Sequence, residues 1–478
     1  MSDQPLKLAV KRRRWRTWYT LLLVVLLVFG GFYLFSIIRQ AQAESRLRAL
    51  IAEIEKDDPH WKLKDFEAEY NKLPISPAFL KCITAVPPGY RGWAGDDIES
   101  RVGALDYRSN GRDYNTRFPD KYYQILNERI TDDGVQTMRQ ALLELAREPA
   151  GYRLHEGTRI SLSHIQDART IANKIYDESI FAAHQGDGDH VILAFQMAMN
   201  NARLLEQSPG LLDLLVALSL RNLGAACVSH ALALCQLTDP QLQRLQLILD
   251  QQTVPPVDQL LKCCRASFFD DWQGARTDSQ KRSDFIKAYT NPPDAKATWK
   301  EIAQHWIDRI RFEFILSNLT TTQAELLEVT GHALALNVNH PSQVLNYLQQ
   351  QKSKSDNVLL KNSLDFCEKL VSTRLTHLAL LDSLRAALAC ERYRLVQGNW
   401  PPTLSALVPQ YLSAIPLDPF SGQPLLYRLL PDGVVIYSVG TNGVDDQGDV
   451  LETNGSPKDR GTRLFNPEHR GKKYEPSK

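Results

Sequence analysis

One loop near the C-terminus is rich in side chains that bind hard cations. The stretch from Thr441 reads TNGVDDQGD and carries four oxygen donors, Asn442, Asp445, Asp446 and Asp449. Calcium takes six to eight oxygen ligands in flexible geometry, and a glycine loop rich in Asp and Asn can supply several of them. The same side chains also stabilise ordinary polar turns by bonding to their own backbone. The sequence therefore predicts either a calcium site or a polar turn.

A second candidate is the segment HQGDGDH, the densest group of histidine and aspartate in the chain. Its members are His184, Asp187, Asp189 and His190. A metal site would need these side chains to converge, with neighbouring groups to orient them. The segment also lies between two apolar helical patterns, where Gly-Asp-Gly-Asp can end one helix and cap the next. We favour the helix cap over the metal site.

The chain contains no established catalytic motif, and we expect no catalysis. It has no Gly-x-Ser-x-Gly elbow, no Gly-Lys-Ser/Thr phosphate loop and no His-Glu-x-x-His pair. The alternative is a hydrolase whose site lies at 184–190 or in the loop-rich region 74–119, where Pro, Gly, Asp and Arg replace any regular period.

Composition gives no support for nucleic-acid binding, a zinc site or a redox motif. The 478 residues contain 56 basic and 55 acidic side chains, which gives no electrostatic argument for nucleic acid. Seven cysteines are an odd number, so at least one is outside any intramolecular disulfide. No Cys-x-x-Cys spacing supports a zinc site or a redox motif, and the sequence leaves any disulfide pairing open.

A transmembrane helix is predicted for residues 18–38, because no charge occurs between Arg16 and Arg39. Twenty-one residues rising ~1.5 Å each extend roughly 31 Å, the thickness of a bilayer core. Six basic residues and one acid precede this segment, in a cytoplasmic tail 1–17. The positive-inside rule then predicts a single-pass protein of the bacterial inner membrane, with its C-terminus outside the cytoplasm.

The competing interpretation of the same segment is a cleaved signal peptide. Ala41-Gln42-Ala43 has the small-x-small form of a cleavage site and follows the apolar run. That run, however, is longer than the ~7–15 residues of an ordinary signal-peptide core, which favours an uncleaved anchor. Both interpretations export the rest of the chain.

Beyond the anchor, apolar periodicity predicts a mainly α chain. We expect juxtamembrane helices and a loop-rich region over 44–130, then a helical domain over 131–372 that forms an irregular bundle or α-solenoid without a fixed repeat. A polar loop is predicted from Asp270 to Pro293. The first predicted helix of this region is capped by Thr131-Asp132-Asp133 and runs through Ala146. The helices predicted after it are 164–183, 191–205, 211–223, 225–237, 242–249, 296–317, 322–336 and 357–397.

A small α+β module is predicted over 373–455. Its long helix ends at Gly398, and Pro431-Asp432-Gly433 joins two short strands, Leu425 to Leu429 and Val434 to Val439. The remaining residues, 456–478, carry seven basic and three acidic side chains and are predicted to be a disordered tail.

Residues 375–452 resemble the globular domain of the major pseudopilin of type II secretion, the protein G family. The resemblance rests on an ordered series of short segments, none specific alone. They are YRL at 393–395, Gly398, Trp400-Pro401, LVPQYL at 407–412, IPLDPF at 415–420, GQP at 422–424, Tyr427 and YSVG at 437–440.

The resemblance implies calcium in the loop after the last strand, with Asp445, Asp446 and Asp449 as ligands and Asn442 as a weaker one. Thr441-Asn442 stands where the family commonly has an acid, and the lower charge weakens the expected affinity. No prepilin-peptidase site precedes the membrane segment, so we do not expect processing as a pseudopilin.

Together these features predict a membrane-anchored scaffold or interaction protein of the cell envelope. Its expected partners are the lipid bilayer and an envelope protein. A narrower alternative is an accessory subunit of a type II secretion-like apparatus.

Overall fold

A computed structural model describes residues 4–85, 123–124, 127, 133–145, 151–153, 162–290, 298–336, 341–450 and 458–471. Within these residues the chain forms fourteen helices longer than one or two turns and one three-stranded sheet, which confirms the predicted mainly α class. The region 86–119, which holds most of the proposed alternative hydrolase site, lies outside the described residues.

The helices follow one another along almost the whole chain. In order they are α1 (Gln4–Asp57), α2 (Leu63–Lys72), α3 (Pro77–Ala85), α4 (Asp133–Leu145), α5 (Leu162–Gln185), α6 (Gly188–Glu206), α7 (Leu211–Leu234), α8 (Asp239–Asp250), α9 (Val257–Thr277), α10 (Ser279–Tyr289), α11 (Trp299–Leu316), α12 (Leu319–Ala335), α13 (Pro341–Lys354) and α14 (Val358–Gln397).

The sheet is antiparallel in the order β1-β2-β3, with β1 at Leu426–Leu430, β2 at Gly433–Ser438 and β3 at Arg460–Phe465. The predicted hairpin is present, and its strands lie within one residue of the predicted bounds. Gly433, which was predicted to lie in the loop, pairs with Leu430. The third strand was not predicted. It lies in the segment assigned to a disordered tail, and that assignment is wrong for Arg460–Phe465, because pairing with β2 satisfies its backbone.

The chain divides into two compact units that differ from the predicted domains. The first comprises residues 1–61 and 268–329, and the second comprises 62–267 and 330–478. The predicted helical domain and C-terminal module share one hydrophobic core in the second unit. That core includes Phe195 of α6, Leu220 of α7, Leu384 of α14, Ile436 of β2 and Leu464 of β3.

Several local predictions differ from the structure. Helix α3 lies inside the region 74–119 that was predicted to be loop-rich, and α9 begins at Val257, where no helix was predicted. Helix α7 runs through Gly224, where a break was predicted. The glycine instead allows α6 to approach closely, since an added Cβ would lie 3.0 Å from the Cβ of Ala198. The predicted loop from Asp270 to Pro293 holds the end of α9 and all of α10. Asp278 separates these two helices and caps α10 by accepting from two backbone N–H groups. Helix α13 was not predicted.

Among the residues that the structure describes, two helices are long and apolar enough to cross a membrane. In α1 the candidate stretch has no buried residue in its apolar window, whereas more than half of the window in α7 is buried. Helix α7 also carries Arg221, fully buried and ion-paired with Glu206. We therefore identify α7 as a core helix and α1 as the candidate anchor. Helix α1 then continues past residue 38 without interruption to Asp57.

Buried ion pairs join the C-terminal segment to the helices of the second unit. Glu391 of α14 is fully buried, and its two carboxylate oxygens lie 2.9 and 2.8 Å from Arg470 Nη2. Arg394 of the same helix donates to Glu391 as well, at 2.7 Å. Arg470 also donates to the carbonyl oxygens of Phe465 and Cys235. One guanidinium group thus connects β3, α7 and α14.

We predict that Gly433→Ala will strongly destabilise the second unit. Gly433 has φ +153°, and a Cβ there would lie 1.9 Å from the carbonyl oxygen of Leu464 on β3. Because backbone has to move, the free energy of unfolding should fall by roughly 3 kcal/mol or more. Gly443→Ala is the matched control: its φ is +68° and its added Cβ meets no atom within 4 Å. It should cost about 1–2 kcal/mol. Equal losses in denaturant unfolding would contradict the proposed close approach.

A pH dependence is expected from His377 of α14. Burial lowers the pKa of this imidazole well below 6.5, and the positive charges of Arg221 and Arg374 lower it further. Asn222 Oδ1 lies 2.9 Å from Nδ1, whereas Nε2 has no hydrogen-bond partner among the described residues. Since the unfolded chain binds the proton more readily, stability should be complete above about pH 6.5 and be lost as the pH falls below it.

Thermal melts from pH 8 to pH 5 would measure this dependence. We expect His377→Gln to flatten the acid limb of the melting temperature. His469→Gln, at an exposed position, should leave that limb unchanged. An identical acid limb in wild type and His377→Gln would contradict the assignment to His377.

Candidate functional site

The candidate calcium loop follows β2 and is held at its start by Asp418. This carboxylate is buried, and it belongs to the turn Asp418-Pro419-Phe420-Ser421-Gly422, in which Gly422 N donates to Asp418 O at 2.8 Å. It accepts four hydrogen bonds, from Phe420 N (2.9 Å), Ser421 Oγ (2.9 Å), Ser438 Oγ (2.6 Å) and Val439 N (3.1 Å). The turn therefore fixes the position at which the loop leaves the sheet.

A carboxylate from outside the loop, Asp459, organises its second half. The Asp459 side chain is fully buried and accepts from the backbone N–H groups of Gly448 (2.8 Å), Asp449 (3.2 Å) and Asp446 (3.4 Å). Its own N–H donates to the carbonyl oxygen of Asp449 at 3.2 Å. Burial raises the pKa of Asp459 and the charge of Asp446 adds to this, while the three N–H groups oppose it.

The predicted ligands make hydrogen bonds mostly within the loop and its supporting strand. Asp445 Oδ1 accepts from Tyr437 OH (2.9 Å) and Gln447 N (2.8 Å). Asp446 Oδ2 accepts from Asn442 Nδ2 at 2.7 Å, and Lys458 Nζ lies 3.6 Å from Asp446 Oδ1. Asn442 Oδ1 in turn accepts from the N–H of Val444 at 3.1 Å. These are the local bonds of a polar turn, the second of the two predicted roles.

The arrangement fits a calcium ion only in part. Asp445, Asp446 and Asp459 supply carboxylate oxygens. The Asp459 oxygens, however, already accept from three backbone N–H groups, whereas a calcium ion would need oxygen atoms in those positions. Among the described residues, no group of three or more His, Cys, Asp and Glu side chains is placed to hold a metal ion. Calcium binding by Asp445, Asp446, Asp449 and Asn442 therefore stays a prediction.

Sequence reasoning missed Asp459, because it lies in the segment that was assigned to a disordered tail. The available signal was short. Thr462 and Leu464 lie on either side of Arg463 and are both buried in β3, as is Phe465, so the alternation typical of a strand extends over only three residues. The seven basic residues of this segment indicated a disordered tail instead.

The histidine- and aspartate-rich segment at 184–190 forms a helix cap. Asp187 precedes α6 and its Oδ1 accepts from the N–H of His190 at 3.0 Å, as predicted. The four side chains do not converge. His184 stacks on Tyr123 with ring centroids 3.4 Å apart, and Asp189 lies 3.4 Å from Arg244 of α8.

His190 instead joins a buried ionic group that links three helices. Its Nε2 lies 3.1 Å from Glu178 Oε2 on α5, and its Nδ1 lies 3.4 Å from Arg139 Nη2 on α4. These partners fit a neutral imidazole that donates through Nε2 and accepts at Nδ1. Glu178 is only 5% exposed, and this group contributes to the packing of the three helices.

Burial keeps at least two of the cysteines, Cys263 and Cys390, in the thiol form. No disulfide joins any of the seven, all of which lie in described helices or at a helix end. Burial raises the pKa of Cys263 to about 12, and that of Cys390 still further. Because the thiolate is the nucleophile, both thiols are unreactive at neutral pH.

No protein-family model, curated protein or solved structure matches the chain. The resemblance of residues 375–452 to the type II secretion protein G family thus rests on the sequence pattern given above.

We predict that Asp459→Asn will destabilise the loop whether or not calcium is present. Asparagine replaces one carboxylate oxygen by an amide donor, which then faces backbone N–H groups. The expected loss in the free energy of unfolding is roughly 1–3 kcal/mol. Thermal melts of the full chain in calcium and in chelator, beside wild type and Asp446→Ala, would measure it.

The same melts test the ion. A calcium site saturated at ~100 times its dissociation constant should stabilise the wild type by roughly 2.7 kcal/mol, and Asp446→Ala should lose that gain. A wild-type melt indifferent to calcium would contradict the predicted ion. A loss in Asp459→Asn would still support the role of Asp459 as an acceptor for the loop.

Proposed function

We propose that the chain is a single-pass, membrane-anchored scaffold or interaction protein of a bacterial cell envelope. One observation carries the proposal: the exposed apolar stretch of α1 continues, within the same helix, into a segment packed inside the first unit. The basic residues before residue 18 favour an N-terminus in the cytoplasm. The two units would then lie on the outer side of the cytoplasmic membrane, without catalytic activity.

A structural role also agrees with how charge is used in the described part of the chain. Glu391, Glu206 and Glu178 are buried carboxylates, and each is held by an arginine that joins different segments. Replacing one partner of such a pair typically costs 3–5 kcal/mol, so these groups specify the packing of the helices. The expected partners are the bilayer and an envelope protein.

A narrower candidate is an accessory subunit of a type II secretion-like apparatus. The resemblance of residues 375–452 favours it, and the long helix α14 that packs against an antiparallel sheet agrees with a pseudopilin-like module. Loss of secretion on deletion, together with co-purification with that apparatus, would support this narrower role.

The topology is tested by reporter fusions to the full chain. A phosphatase that is active only outside the cytoplasm should be active when fused after Lys478, and a fluorescent protein that folds only inside should be bright when fused before Met1. Neutralising Lys11, Arg12, Arg13 and Arg14 should reduce this orientation preference, because these charges retain the N-terminus. Arg48→Gln, at an exposed position beyond the apolar stretch, should not reduce it.

Membrane fractionation and mass spectrometry complete the test. We expect the chain to resist extraction by carbonate and to keep its N-terminal residues. Recovery of a soluble chain that begins after Ala43 would contradict the uncleaved anchor. Turnover of ester, peptide or glycoside substrates by the purified chain would favour the hydrolase alternative, and the absence of any crosslinked envelope partner would count against the scaffold.

A further inference from the structure

The helix pair α10–α11 belongs to the first unit and is connected to the rest of that unit at both of its ends. Helix α9 ends at Thr277, two residues before α10 begins, and α12 begins at Leu319, three residues after α11 ends. Within the pair, Arg282 Nη2 lies 2.5 Å from Glu313 Oε2, and the rings of Phe285 and Phe312 have centroids 6.0 Å apart.

Both attachment points lie beside the start of the packed part of α1. Arg276, in the last turn of α9, lies 3.8 Å from Glu44 of α1. Arg276 also donates to Gln323 in the first turns of α12, at 2.7 Å. Glu44 is six residues beyond Ile38, the last residue of the predicted span, which is about 9 Å along a helix. The headgroup region of a bilayer extends roughly 5–8 Å beyond its hydrocarbon core.

The remaining contacts of α1 lie farther along the same helix. Arg46 Nε donates to Glu328 Oε1 at 2.6 Å, and Leu47 is buried against Trp61, Phe269 and Leu327. The order of these contacts fixes the polarity of the first unit: α9 approaches the span with its C-terminal end. The pair α10–α11 therefore departs from, and returns to, the edge of the unit nearest the bilayer.

Helix α11 exposes two large apolar side chains and two basic side chains. Trp306 is 56% exposed and Ile307 is 46% exposed, one helical turn from exposed Ala303. Lys300 and Arg309 are exposed on the same helix, and the Arg309 guanidinium lies 5.7 Å from the Trp306 ring.

The acidic residues nearest to this surface already have partners. Glu301 accepts from Thr298 in the capping box that starts α11, and Asp308 accepts from Gln304 at 3.0 Å. These bonds fix where the two carboxylates lie but leave them charged. Lys300 and Arg309 have no ion pair among the described residues and are exposed, so each can bind an external anion. Tryptophan beside basic residues is typical of helices that lie at the interface between lipid headgroups and acyl chains.

We infer that α11 docks on the outer surface of the bilayer in which α1 is anchored, with Trp306 and Ile307 entering the headgroup region and Lys300 and Arg309 binding lipid phosphates. This inference rests on the proposed anchorage of α1. The bilayer is the occupant to which the position of the helix points, because the span of the same unit begins within about one headgroup thickness of the attachment points. A second helix would then hold the first unit against the membrane.

The test uses the full chain reconstituted in vesicles that contain anionic phospholipid. The fluorescence of Trp306 is obtained as the difference between wild type and Trp306→Phe. Lipids brominated near the headgroup should quench roughly half or more of this difference emission, because an interfacial side chain lies only about 5–10 Å deep. Iodide in the water should quench it weakly. Reversal of Lys300 and Arg309 to glutamate should reduce the bromine quenching and increase the iodide quenching.

Trp400→Phe is the matched control, since Trp400 Nε1 donates to Asn466 Oδ1 and the Arg394 guanidinium lies 5.2 Å from the Trp400 ring. Its difference emission should not respond to brominated lipid. A Trp306 signal that iodide quenches and bromine does not would overturn the docking of α11. A signal protected from both quenchers would overturn it as well, and would indicate a protein partner or a second copy. Vesicle flotation separates these results from a failure of the anchor, because a chain that does not float contradicts the proposed function itself.

Discussion

The second unit depends on how one buried negative charge is neutralised. Glu391 lies in the last two turns of α14 and is fully buried, and an unpartnered carboxylate there would cost several kcal/mol. Arg394, in the next turn of the helix, donates to both of its oxygens through Nε and Nη2, and Arg470, 79 residues away, donates to both through Nη2. The second arginine attaches the chain end to α14. This attachment places β3 beside β2, and β3 in turn brings Asp459 under the loop.

The parts of this fold that the sequence predicts correctly are those that local chemistry determines. Gly398 ends α14 in the left-handed conformation, at φ +78°, because only a residue without a Cβ adopts it at no cost. The hairpin at Gly433 and the cap at Asp187 depend likewise on residues within a few positions. Each of these signals is complete in a short window.

The parts that sequence reasoning missed depend on partners far along the chain. Gly224 looks like a helix break until α6 is seen to pass closely over it. The basic composition of the final residues resembles a disordered tail, yet Arg470 is neutralised by a carboxylate that no local pattern connects to it. The candidate calcium loop shows both effects. Its turn-forming residues were identified correctly, while Asp459, which binds three of its N–H groups, came from the segment assigned to the tail.

The connection between the apolar stretch of α1 and the packed part of the first unit bears directly on the proposed scaffold role. A flexible linker after a membrane span would let a domain sample many orientations over the bilayer. Here the helix is uninterrupted from the apolar stretch to Asp57, and its side chains enter ion pairs and a core cluster within ten residues of Ile38. Reorientation would require either bending that helix or breaking those contacts. A protein that holds a partner in a fixed position relative to a membrane needs a rigid connection of this kind, because bending at the connection would also move the partner.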